Sequence, residues 1–225
     1  MIFRMDATFQ PFENRQQAGA ELALALTHLK GTDSIVLAIP RGGVVVGYEV
    51  AAALGLELDV IVPRKIPAPE QEELAIGAVA SWGDHERIID EYSVRFLGVG
   101  EDYIERQVQI QLAEVNRRLQ AYRGTTEPPQ IAGRNVILVD DGIATGYTTR
   151  AAAVALRKLG AARVVLAVPV GPPDSVEMLR PFVDELVCLR TPTPFMAVGC
   201  WYRDFRQVSD AEVIDLLEKA RSNTP

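Results

Sequence analysis

The chain has 225 residues, 48% of them apolar and 24% charged, with a formal net charge of −7. That length holds one α/β domain with an appendage. The acidic balance argues against a nucleic-acid-binding face, which needs basic residues to neutralise phosphates. No apolar run approaches the ~20 residues that span a bilayer, and Asp6 and Glu13 interrupt the basic-then-apolar order of a signal peptide. Cys188 and Cys200 form no disulfide framework, and His28 and His85 stand in no metal-ligand spacing. A cytoplasmic protein is expected, with no membrane, nucleic-acid or structural-zinc partner.

In chain order, Ala18, Leu22, Leu26 and Leu29 mark an amphipathic helix over Asn14–Lys30, ended by Gly31. Ile35–Ile39 reads as a strand buried on both faces, followed by the turn Pro40-Arg41-Gly42-Gly43 and a helix over Val44–Leu54. Val60–Val62 is the next strand. A loop rich in Pro and Glu, Pro67–Glu73, leads to Ala75–Ala80 and Arg87–Asp90, read as a hairpin around Trp82-Gly83-Asp84. Glu101–Tyr122 is a long helix whose apolar stripe is Ile104, Val108, Leu112, Val115 and Leu119, with Asp102–Arg106 and Glu114–Arg118 spaced for pairing. The stripe suits a surface helix packed over the core, and also a lid or subunit contact. Strands over Val136–Val139, Arg163–Val170 and Glu185–Leu189 alternate with helices over Arg150–Leu159 and about Ser175–Phe182. Such alternation predicts an α/β fold, a three-layer parallel sheet with right-handed crossovers. The segment Thr191–Gln207 is aromatic and irregular, and Asp210–Arg221 closes the chain as a helix capped by Ser209 or Asp210.

The most informative run is residues 136–149. Four β-prone residues end in two adjacent carboxylates, Asp140 and Asp141, followed by Gly142, Ile143, Ala144, Thr145, Gly146, Tyr147, Thr148 and Thr149 before a helix. Amides at a helix N-terminus are unpaired and carry the positive end of its dipole, so they attract phosphate. Gly142 and Gly146 let the backbone approach a ligand, and the threonines add hydroxyl donors. The two acids match sugar hydroxyls or a bound Mg2+. The chemistry is that of a socket for a phosphorylated sugar.

This run resembles the ribose-5-phosphate-binding signature of the type I phosphoribosyltransferases, four apolar residues, two acids and a turn ending Thr-Gly-x-Thr. The resemblance covers nearly the whole chain and is greatest for members whose acceptor is unassigned. It implies a single phosphoribosyltransferase-like domain over 1–225, with a helical insertion at about 98–124 and a small hood at about 191–225. It implies transfer of ribose 5-phosphate from phosphoribosyl pyrophosphate to a nitrogen acceptor, such as a nucleobase. It also implies Mg2+ as cofactor, held mainly by the donor with Asp140 and Asp141 as direct or water-mediated ligands, and a homodimer.

The resemblance assigns the donor's pyrophosphate to the turn Arg41-Gly42-Gly43, with a cis peptide expected at Ile39–Pro40, where that form costs only ~0.5–1 kcal/mol. Lys65, with Arg64 beside it, matches a basic position near the pyrophosphate. The loop that follows, Pro67–Glu73, is acidic where family members carry further basic residues. Phe195 lies in a run resembling the hood of purine-salvage members and is the candidate for stacking on a planar base; equally, Phe195, Trp201, Tyr202 and Phe205 suit a small second core. Catalysis is assigned to Asp140, Asp141, Arg41 and Lys65, and Asp204 and Glu73 are candidates for a general base. Two other readings use the same socket: a non-catalytic nucleotide or donor sensor, and a phosphohydrolase, for which the Asp-x-Asp spacing of aspartyl phosphatases is missing.

Overall fold

The computed structural model describes residues 10–80 and 86–223, with only the backbone of Glu72, Glu73, Glu86 and Asn223. The expected turn at Trp82-Gly83-Asp84 and His85 lie outside the described residues. Helix α1 (Arg15–Ala25) opens the chain, capped by Asn14, whose side chain accepts from the Gln17 amide. It stops short of Lys30, giving way to a 3-10 turn over Thr27–Leu29. Strand β1 (Ser34–Ala38) is buried throughout, and α2 (Gly42–Leu54) ends at Gly55 in the left-handed region. Strand β2 is Glu57–Val60, earlier than the expected Val60–Val62. It lies at the sheet edge, so its exposure alternates and its apolar signal is short; Ile61 and Val62 are buried beyond the pairing.

The expected loop at Pro67–Glu73 is instead a hairpin. Strands β3 (Arg64–Ala68), β4 (Gln71–Ala80) and β5 (Glu86–Ile89) form a separate antiparallel sheet. Only Pro69-Glu70 turns, and the register shifts beside Pro67 accommodate a residue with no amide to donate. Helix α3 (Glu91–Leu97) was not expected, although Asp90 at its N-cap and left-handed Gly98 at its end are ordinary helix boundaries. Helix α4 (Glu101–Arg123) buries the predicted stripe against β3, β4 and the C-terminal helix, and Glu114 pairs with Arg118 as its spacing suggests.

Strand β6 (Asn135–Val139), α5 (Tyr147–Lys158), β7 (Arg163–Val170), α6 (Pro173–Leu179), β8 (Glu185–Arg190) and α7 (Asp210–Asn223) complete the fold. The main sheet is parallel with order β2-β1-β6-β7-β8. From β1 the chain crosses through α2 to β2 on one side; from β6 it crosses through α5 to β7 on the other. Right-handed crossovers in opposite directions put α2 and α5 on opposite faces, which makes three layers. They also open a crevice at the carboxyl ends of β1 and β6, where ligands of such sheets bind.

Candidate active site

The switch point brings the two turns together. Ala38 pairs with Val139, and the Ile39 amide donates to the Val139 carbonyl at 2.8 Å. The next residues of each strand are therefore Pro40-Arg41-Gly42-Gly43 and Asp140-Asp141. A Cβ at Gly43 would lie 2.9 Å from Asp140 Cα, and one at Gly42 would lie 1.9 Å from Asp141 Oδ2. Glycine is required here by proximity. Gly42→Ala should therefore lower stability by about 2 kcal/mol or more in a thermal melt, from the overpacking scale; an unchanged melt would mean the turn moves aside freely. The cis peptide of this turn is Pro40–Arg41, so the expectation for Ile39–Pro40 is corrected: the cis bond falls one residue later, where the chain enters α2.

The two acids differ in surroundings. Asp140 Oδ1 accepts from the Asp141 amide at 2.8 Å. Asp141 Oδ2 takes Arg15 Nε at 2.7 Å, and Tyr202 donates its hydroxyl to the Asp141 carbonyl at 2.5 Å. Arg15 is only 8% exposed. Its guanidinium lies 3.9 Å from the Phe205 ring centroid and donates to the Arg206 carbonyl at 2.9 Å. Burial first, and then the charge of Asp141, push the Asp140 carboxyl well above the usual range. Burial also raises Asp141, but the Arg15 guanidinium works against that rise.

The loop 142–149 is held from several directions. Ile143 is buried and donates its amide to the Val170 carbonyl at 2.8 Å, while Ser175 Oγ donates to the Ala144 carbonyl at 2.7 Å. Gly146 is left-handed at φ 79°, which starts α5 at Tyr147 instead of Arg150. Tyr147 donates its hydroxyl to Asp90 Oδ2 at 3.1 Å, tying the loop to the cap of α3. Thr149 is buried, whereas Thr145 is exposed and Thr148 half-buried. A Cβ at Gly142 would meet Val198 at 2.5 Å, so the C-terminal segment presses on the loop.

Other candidates lie elsewhere. Arg41 is exposed at the turn, with Nη1 3.6 Å from Asp210 Oδ1. Lys65 lines a groove between β3 and α4 with Arg64, Tyr103 and Gln111, and that groove shares no lining residue with the acid-pair corner. Phe195 is half-buried and stacks on Trp201 at 6.5 Å; with Val198 and Phe205 it packs on a small second core of Phe12, Ala18, Val170, Trp201 and Tyr202. Asp204 accepts from the Arg206 amide at 3.1 Å and, with Arg15, lines a cavity of ≈ 20 Å³. The side chain of Glu73 lies outside the described residues. Among the described residues, no group of three or more His, Cys, Asp or Glu is placed to hold a metal, and no helix is long and apolar enough to cross a membrane.

Residues 12–200 match the model of the phosphoribosyl transferase domain. The chain belongs to the phosphoribosyl transferase family. The chain is similar to TT1426 from Thermus thermophilus, whose crystal structure is 42% identical in sequence with a TM-score of 0.79, covering 93% of this chain and 99% of that one. "Putative phosphoribosyl transferase Rv0571c" of Mycobacterium tuberculosis is 44% identical over 209 residues, 93% of this chain and 47% of its own length. The chain thus spans about half the length of the curated relatives it matches. A shorter match, 45% identical over 72 residues, covers 31% of this chain and 26% of the ribose-phosphate pyrophosphokinase of Pyrococcus furiosus.

Within this phosphoribosyl transferase framework, Arg15 and Tyr202 escaped the sequence reading, although both hold Asp141. Arg15 had a signal. It precedes Ala18 by three and Leu22 by seven, so it is a charge on the apolar stripe of α1. A charge there needs a buried partner. Tyr202 had none, because its run of aromatics looked like core and is core.

Proposed function

We propose that the protein transfers ribose 5-phosphate from phosphoribosyl pyrophosphate to a nitrogen nucleophile, releasing pyrophosphate. The observation that carries this reading is the contact of Gly42 and Gly43 with Asp141 and Asp140 at the topological switch point. It brings the turn after β1 and the loop after β6, which on this reading would hold pyrophosphate and ribose phosphate, onto one crevice at the spacing of adjacent strands. Asp140 would accept hydrogen bonds from the ribose hydroxyls and set negative charge near the anomeric carbon as the oxocarbenium-like transition state develops. Asp141, already paired with Arg15, would brace the corner more than grip the sugar. The amides and threonine hydroxyls of residues 142–149 would anchor the 5-phosphate, and Arg41 with the Gly42 and Gly43 amides would hold the pyrophosphate. On this reading Lys65 would serve by approaching from the hairpin, and Phe195 by offering its ring to the acceptor under a hood formed by residues 191–225.

The donor set suits Mg2+. A buried carboxylate whose ionisation is opposed by its neighbour's charge gains from a cation, and Asp140 is the better ligand because Arg15 already neutralises Asp141. When bound, Mg2+ would neutralise charge on the departing pyrophosphate.

The test is pyrophosphate release from phosphoribosyl pyrophosphate and Mg2+ across a panel of nucleobases and small amines. Release with one acceptor class is expected. Donor binding with no release across the panel would favour a sensor over an enzyme.

A further inference from the structure

Asp90 divides its two carboxylate oxygens between separate tasks. Oδ1 accepts from the Tyr92 and Ser93 amides at 3.1 and 3.3 Å, which caps α3. Oδ2 accepts from the Ser93 hydroxyl at 2.7 Å and from the Tyr147 hydroxyl at 3.1 Å. The Asp90 amide donates to the carbonyl of Ile76 at 2.8 Å, and Ile76 is buried in β4. The carboxylate therefore stands on a packed strand and reaches both a helix end and the loop 142–149. Its donors, the Ser93 hydroxyl foremost, hold the Asp90 carboxyl below its usual range, so it is ionised at neutral pH.

Each end of this link needs the other. Helix α3 has seven residues and buries none of them. Helices that short are marginal by themselves, so the caps, Asp90 and left-handed Gly98, carry much of its order. The loop is held at its start through the Ile143 amide and the Ala144 carbonyl, by bonds to β7 and α6. Gly146 then turns through the left-handed region and places Tyr147 first in α5, which packs on β4 and β5 and brings the Tyr147 ring to Asp90. Thr145, between these anchors, is exposed. The amides offered to a phosphate thus lie on a stretch fixed at one end by the main sheet and at the other by α5 and Asp90.

We propose that Asp90 is a positioning residue for a sugar phosphate in loop 142–149, acting through the Tyr147 hydroxyl, and that occupancy of the loop orders α3 in return. The inference rests on the reading of that loop as a phosphate seat and needs no turnover. A ligand that fixes the loop fixes the Tyr147 ring, and the ring fixes the plane of the carboxylate that caps α3. Coupling between two sites is reciprocal in binding free energy, so a well-capped α3 also means a tighter seat.

Ribose 5-phosphate is the probe, titrated calorimetrically into the full chain. Tyr147→Phe removes the link and leaves the cap. It should bind the probe about three- to tenfold more weakly, the scale of one hydrogen bond that preorganises a loop. Asp90→Asn keeps a capping oxygen and can donate Nδ2 to the Tyr147 oxygen, so it should lose less than Asp90→Ala. Melting curves of all three variants check folding. Amide exchange separates positioning from simple bracing. In the unaltered chain the probe should slow exchange at Tyr92 and Ser93, and in Tyr147→Phe it should not, even at saturation. Binding by Tyr147→Phe within twofold of the parent, or exchange in α3 of the parent that ignores the probe, overturns the coupling and leaves the proposed transferase standing. No binding by the parent at millimolar ribose 5-phosphate also overturns the coupling, and titration with phosphoribosyl pyrophosphate and Mg2+ then tells whether the transferase reading falls with it.

Discussion

Asp140→Asn should lower pyrophosphate release by about a hundredfold or more while raising the melting temperature. The loss follows from removing one preorganised charge beside the developing cation, which for electrostatic groups of this kind is worth about 10²–10³ in rate. The gain in stability follows from the pKa. Burial and the neighbouring Asp141 raise the Asp140 pKa in the folded chain, so ionisation is easier in the unfolded chain. Stability is then lost as pH rises from the ordinary carboxylate value of about 3.9 through the folded value. Asn stays neutral at every pH and keeps an Oδ1 acceptor for the Asp141 amide, now received at 2.8 Å. The difference in melting temperature between variant and parent should be larger at pH 8 than at pH 4, at about 2–4 °C per kcal/mol relieved for a chain of this size. Turnover within threefold of the parent would remove Asp140 from the proposed chemistry. A variant less stable than the parent at pH 8 would show that the acid is braced by contacts stronger than the repulsion.

Arg15→Met should be the most destabilising single change at the site. Both side chains of the Arg15–Asp141 pair are largely buried, at 9% and 16% exposed. Removing one partner of such a pair leaves an uncompensated charge and costs about 3–5 kcal/mol. The stacking on Phe205 and the bond to the Arg206 carbonyl go with it. Without Arg15, burial acts on Asp141 with its largest opposing influence gone, so its pKa rises further. The deficit should therefore shrink as pH falls towards that raised value, where the acid is neutral in the folded chain too. Adding Asp141→Asn to the Met variant should recover more than half of the loss, because the two changes act on one interaction. Denaturant unfolding at pH 5 and pH 8 reads both effects. A deficit under about 1 kcal/mol, below the buried-pair scale, or one independent of pH, would mean that water already screens the pair.

Much of this architecture was legible in the chain. The strands β1, β6 and β7 are uninterrupted apolar runs because they are central and covered on both faces, and the stripe of α4 has helical spacing throughout. The acid pair stood out because two carboxylates at a strand end have no use in a core. What escaped was set by contacts distant in sequence. The hairpin of β3 and β4 was hidden by Pro67 and Pro69, which the chain tolerates through a shifted register and a two-residue turn. Strand β2 was obscured by its edge position. The braced state of Asp141 depends on Arg15, 126 residues earlier, and on Tyr202, 61 later. Neither pairing leaves a local pattern, beyond the misplaced charge on α1.

In the proposed function a phosphorylated ribose carrying pyrophosphate seats between the Arg41-Gly42-Gly43 turn and the acids that follow β6. Isothermal titration of phosphoribosyl pyrophosphate with Mg2+ into the unaltered chain tests it directly. Saturable heat with one donor per chain, reduced by Asp140→Asn, is the predicted result. No heat at millimolar donor, with the chain folded, would contradict it.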